Sequence, residues 1–165
     1  MRPGPGKRKR LDSGESADPE AARVAAIALL ARRDFASVEL ARRLVARGFE
    51  ESAVAAALAT LMAERALDDA RFAQSYVAYH AGRGQGPVRI GADLAALGLT
   101  PIEIETALAA GPDWRVLARE VRVRKFGARE PVSWAAKGRQ GRFLQYRGFS
   151  SDHIRSALGS DPGIE

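Results

Sequence analysis

LVARGFEESAVAAAL, residues 44–58, recurs twice more: LAALGLTPIEIETAL at 94–108 and LQYRGFSSDHIRSAL at 144–158, an interval of 50 residues each time. The three copies keep one physical character at matched positions. Leu44, Leu94 and Leu144 open them. Gly48, Gly98 and Gly148 follow, and then an apolar residue, Phe49, Leu99 or Phe149. Val54, Ile104 and Ile154 pair with Leu58, Leu108 and Leu158, four residues on, which places each pair on one helix face. A fixed interval of this length is the signature of stacked structural units.

Each copy reads as two helices meeting at a glycine turn. Glycine can close a helix C-terminus in the left-handed conformation without a Cβ clash. The second copy carries the clearest restart signal: Thr100 as N-cap, Pro101 at the first helical position and Glu103 completing a capping box. Ser150 suits the same role in the third copy. Glu50 is a weaker cap in the first, although its charge suits a helix N-terminus. A further helical stretch precedes each pair: about 21–33 with Val24, Ile27, Ala28 and Ala31; about 69–81 with Phe72, Tyr76 and Tyr79; and a third with Trp114, Leu117 and Val121. Only VRVRKF, 121–126, alternates as a strand would, and it reads as the end of that third helix. The expected fold is all-α, an elongated and curved tandem array of three three-helix, homeodomain-like repeats. The expected bounds are 20–66, 67–112 and 113–160, with a disordered tail at 1–19 and a short tail at 161–165. Units this small bury little surface alone and should lean on their neighbours.

Composition narrows the functional classes. The absence of cysteine removes disulfides, thiol nucleophiles and thiolate metal sites. No apolar run approaches the roughly twenty residues of a membrane helix. The start of the chain lacks the apolar core of a signal peptide, so a cytoplasmic protein without membrane contact is expected. Two histidines, His80 and His153, lie far apart and show no metal-ligand spacing. His80 reads as packing or surface, and His153 as an exposed residue in a first helical turn. Asp68 and Asp69 stand where a helix should begin and read as capping residues rather than a metal site. GRGQGP, 82–87, lacks the Lys-Ser/Thr of a phosphate loop and any preceding strand, so it reads as a connection between helices. No enzyme, cofactor or metal is expected.

Charge separates the copies. Residues 67–112 hold 3 basic and 5 acidic groups, whereas 113–165 hold 11 and 6. The candidate contact residues are Arg119, Arg122, Arg124, Lys125, Lys137, Arg139, Arg142 and Arg147, with Arg32, Arg33, Arg42 and Arg43 in the first repeat. Such a cluster suits phosphates or an acidic protein. The run KRKR, 7–10, reads mainly as part of a solvated tail. A three-helix unit with a tight turn before its last helix resembles a major-groove reader. Here, however, the last helices are rich in Ala and Glu, and Glu103 and Glu105 would meet phosphate unfavourably. In AAKGRQGRFLQYRG, 135–148, Gly138 and Gly141 fall inside a helix, where each costs about 1 kcal/mol relative to alanine.

Four phrases together resemble the RecX family: RRDFASVEL at 32–40, LDDARFA at 67–73, GPVRIGADLAALG at 86–98 and GRFLQYRGF at 141–149. Asp93 stands where that pattern favours glutamate and Leu97 where it favours lysine. The resemblance implies a monomeric, non-catalytic protein that lies along the RecA–DNA filament. It would modulate, usually inhibit, the recombinase, coprotease and ATPase activities in homologous recombination, DNA repair and the SOS response. DNA contacts through phosphates, a stand-alone DNA-binding protein without sequence specificity and a helical interaction scaffold remain open as alternatives.

Overall fold

The structure, a computed structural model, describes residues 11–159; the KRKR run and the tail at 161–165 lie outside them. Ten helices are present among the described residues and no strand. They are α1 (Ser13–Ser16), α2 (Pro19–Leu30), α3 (Ser37–Ala46), α4 (Glu51–Ala63) and α5 (Asp69–Gly82), followed by α6 (Pro87–Ala96), α7 (Pro101–Ala109), α8 (Trp114–Phe126), α9 (Trp134–Tyr146) and α10 (Ser151–Ala157). From α2 onward they fall into three triplets, and VRVRKF closes α8 as expected. The chain divides into two compact units, one ending at Asp69 and the other beginning at Ala70. The first holds repeat 1 and the second holds nearly all of repeats 2 and 3.

In the first unit, Leu40, Leu44 and Leu61 are fully buried between α2, α3 and α4, with Val54, Ala57, Leu58, Phe35 and Phe49 around them. Gly48 has φ 105° and ends α3. Glu50 makes no side-chain cap, so the N-terminus of α4 lacks the local partner that Thr100 and Ser150 give their helices. Residues 11–18, expected to be disordered, supply one. Asp12 caps the short α1, and the Ser16 carbonyl accepts from the Glu50 N–H at 2.9 Å. Leu11 lies over Gly48, 3.7 Å from where a Cβ would stand. The start of α3 has a similar shortage, because its N-cap is Ala36. Asp69 fills it: Oδ1 accepts from the Ser37 N–H at 2.7 Å and Oδ2 from the Ser37 hydroxyl at 2.5 Å. Asp69 therefore caps a helix, but one that begins 32 residues earlier as well as opening its own.

In the second unit, the capping box at Thr100 forms as expected, with Glu103 Oε2 accepting from the Thr100 N–H at 2.8 Å. Ser150 forms the equivalent box, but its N3 partner is His153, whose Nδ1 accepts from the Ser150 N–H at 3.4 Å. Gly98 and Gly148 have φ 95° and 93°, matching Gly48. The equivalent positions Ala41, Gly91 and Gly141 are small because the third helix crosses the second there. A Cβ at Gly91 would touch Ile104 and Leu108 at 3.5 Å, and one at Gly141 would touch Ile154 and Leu158 at 3.6 Å. Gly141 thus brings helices together inside a 13-residue α9.

The expected repeat cores are unequal. Leu44, Leu94 and Leu144 are all fully buried, and Val54, Leu58 and Leu158 are buried too. Ile104, Leu108 and Ile154 are only half-buried. Ala107 is the one buried residue of α7, a helix of nine residues whose outer side faces a hollow of about 640 Å³ between Pro87, Pro101, Pro112, Trp114 and His153.

Candidate functional site

The loop GRGQGP joins α5 to α6 and also forms part of a junction. Within the second unit its backbone meets the glycine turn of repeat 3. The Gly86 N–H donates to the Arg147 carbonyl at 2.8 Å, and the Val88 N–H to the Gly148 carbonyl at 3.0 Å. Arg147 returns the contact through Nη2 to the Arg83 carbonyl at 3.1 Å. The approach leaves no room for a side chain at either glycine. A Cβ on Gly86 would stand 2.4 Å from the Gly148 carbonyl, and one on Gly148 would stand 2.3 Å from the Arg89 Cβ. The glycines therefore serve a close backbone approach and not a phosphate.

The basic candidates separate by environment. Arg122 is 2% exposed, which takes it out of the exposed contact set. Its guanidinium donates to the carbonyls of Gly127, Ala128 and Arg129 and to Gln140 Oε1, holding the α8–α9 loop. A buried cation requires such a set of acceptors. Arg147 is half-buried in the glycine junction just described. In repeat 1, Arg33 and Arg43 both pair with Glu39, at 2.5 and 3.5 Å. They also lie over the Phe35 ring, at 3.6 and 5.3 Å from its centroid. Arg32 and Arg42 are exposed. In repeat 3, Arg119, Arg124, Lys125, Arg139 and Arg142 are exposed, and Lys137 is half-buried. None of those five exposed cations pairs with an acid among the described residues.

Helix α8 carries Arg119, Arg124 and Lys125, and α9 carries Arg139 and Arg142 beside two exposed aromatics. At about 100° per residue, Trp134, Arg139, Arg142, Gln145 and Tyr146 fall on the side opposite the buried Gln140 and Leu144. Trp134 is 89% exposed, Tyr146 79% and Val132, just before the helix, 82%. Neither aromatic stood among the sequence candidates. A helical projection of 134–146 about Leu144 would have placed both on the outer face.

The histidines play structural parts. The His80 ring stacks on Tyr76 with centroids 4.1 Å apart and meets Tyr79 edge-on at 5.1 Å. His153, expected to be exposed, is half-buried. Burial lowers its pKa below the usual histidine value, and the nearby Arg115 cation adds to that; Asp152 and Asp113 oppose it. Among the described residues, no three His, Asp or Glu side chains gather as a metal site would require, and no helix is long and apolar enough to cross a membrane.

Comparisons with known proteins agree with the repeat assignment. Models of the first, second and third three-helix domains of RecX match residues 22–61, 68–108 and 116–158. The Regulatory protein RecX of Pseudomonas savastanoi pv. phaseolicola is 42% identical over 146 residues, 88% of this chain and 94% of that protein. Its counterpart in Halorhodospira halophila is 43% identical over 149 residues, 90% of this chain and 92% of that protein. The crystal structure of RecX from Lactobacillus salivarius superposes with a TM-score of 0.76 at 19% identity, covering 86% of this chain and 95% of that one. With three tandem family domains along its length and relatives named as regulatory proteins rather than enzymes, this chain belongs to the RecX family.

Proposed function

We propose that this protein regulates the RecA recombinase as an inhibitor, binding along the RecA–DNA filament as a monomer in the cytoplasm. Membership in a family of regulatory proteins supports the reading, and one observation carries it. Five exposed cations of repeat 3, Arg119, Arg124, Lys125, Arg139 and Arg142, have no acidic partner among the described residues. Cations left without a partner at a surface suit an external anionic one. Arg32, also exposed, extends the basic set in repeat 1. The paired Arg33 and Arg43, the half-buried Lys137 and Arg147, and the buried Arg122 contribute less. A protein that contacts several protomers gains avidity without a deep pocket. DNA phosphates adjoining the protein surface are a secondary target.

The test is RecA-catalysed ATP hydrolysis on single-stranded DNA with increasing amounts of this protein. Hydrolysis should fall as it is added. Reversing Arg119, Arg124, Arg139 and Arg142 to Glu should relieve the inhibition while the helical circular dichroism stays unchanged. Equal inhibition by parent and variant would remove these residues from the interface. A DNA-only titration separates the stand-alone DNA-binding reading, in which affinity for DNA without RecA would fall steeply with salt.

A further inference from the structure

We propose that the outer face of α9 is a docking surface for an acidic protein strip flanked by two apolar hollows, with Trp134 and Tyr146 as its anchors. The proposal rests on RecA as the partner. Its anchors are two aromatics that lie outside the charge cluster, although Arg139 and Arg142 beside them belong to it.

Three observations carry it. First, Trp134 and Tyr146 are 89% and 79% exposed on a regular helix, and Val132 at 82% widens the patch beside Trp134. A solvated tryptophan of this kind forfeits the burial that such a large ring gains elsewhere. Second, Arg139 and Arg142 lie between the two aromatics on the same side of α9, which carries no Asp or Glu from 134 to 146. The charge on this face is therefore purely positive, beside two aromatics and the neutral Gln145, and an acidic surface complements it. Trp, Tyr and Arg are also the residue types that dominate interface hot spots. Third, the spacing distinguishes protein from nucleic acid. Twelve helical steps from Trp134 to Tyr146 separate the anchors by about 18 Å. A single strand stacks successive bases on closely spaced rings, whereas the outward positions between the anchors hold Ala135, Gly138, Arg139, Arg142 and Gln145, and the one ring in the interval, Phe143, packs edge-on against Phe126. Val132 offers an aliphatic surface, which suits a protein pocket and gives a base nothing to stack on.

The face costs the fold little to change, because Trp134 and Tyr146 make no ring contact with another described residue. The experiment uses the full chain and RecA filaments assembled on single-stranded DNA with a non-hydrolysable ATP analogue. W134A and Y146A should each weaken filament binding about tenfold or more, the range expected of hot-spot residues. The thermal melting of both variants should match the parent. If the parent binds filaments and the W134A/Y146A double variant binds equally well, the docking face is wrong and RecA regulation stands. If the parent itself fails to bind filaments, both are wrong. A parallel titration with the single-stranded DNA alone covers the remaining outcome. A loss there equal to the loss on filaments would make the face a nucleic-acid surface and overturn the acidic-protein assignment.

Discussion

Repeats 1 and 3 share a turn but support it differently. In repeat 1 the turn at Gly48 is covered from upstream: Leu11 lies over the glycine and the Ser16 carbonyl accepts from the Glu50 N–H. In repeat 3 the turn at Gly148 is covered by another repeat. The loop around Gly86 presses its backbone on Arg147 and Gly148. Repeated sequence produces repeated local geometry, since φ is 105° and 93° at the two glycines. It does not produce the same neighbours. A turn leaves polar backbone groups that need partners, and each repeat satisfies them with whatever segment lies alongside.

The two glycines offer the largest test of that difference. Gly148→Ala combines positive-φ strain with a Cβ placed 2.3 Å from the Arg89 Cβ, so it should destabilise by about 3 kcal/mol or more. Gly48→Ala meets only the Leu11 side chain at 3.7 Å and should lose about 1–2 kcal/mol, the strain alone. Urea denaturation of the two variants measures both. Equal losses would show that the repeat 2–repeat 3 contact adds nothing at this point.

A second test concerns the third helices. Leu58 is buried, and Leu58→Ala should cost about 2–5 kcal/mol. Leu108 holds the equivalent position but is half-buried, so Leu108→Ala should cost about 1–2 kcal/mol, a loss scaled to the smaller apolar area it removes from water. Similar melting temperatures for the two would contradict the uneven cores.

The smallest expected effect separates the capping boxes of repeats 2 and 3. Neutral His153 accepts from the Ser150 N–H, and the folded protein holds its pKa below the ordinary histidine value of 6.5. The unfolded chain therefore binds a proton more readily. The stability that His153 contributes is complete above pH 6.5 and declines as pH falls below it toward the lowered folded value. His153→Glu, which restores the carboxylate used by Glu103, should flatten the slope of stability between pH 7 and pH 6. An unchanged slope in that variant would assign the pH dependence to other groups.

Much of the architecture was legible in local signals. The fifty-residue echo, the turn glycines and the Thr100–Pro101–Glu103 restart define helix ends through backbone chemistry acting within a few residues. The four family phrases were legible as motifs but not as contacts. RRDFASVEL meets LDDARFA through Ser37 and Asp69, and GPVRIG meets the RGF phrase through Gly86 and Gly148. Each pairing joins residues 32 or more apart, a separation that no periodicity encodes. The basic cluster was legible as charge. Composition weighted Arg122 and Arg142 equally, although one is buried among loop carbonyls and the other lies open on α9.

The sequence by itself determined the helices, their caps and the three-unit plan, because those depend on residue type at short spacing. Only the tertiary structure decided which glycines are close contacts between repeats, which arginines remain free for a partner, and that Trp134 and Tyr146 stand in solvent. Those properties depend on what lies across the interface. A side chain's burial and pairing come from segments distant in the chain, so identical letters acquire different roles.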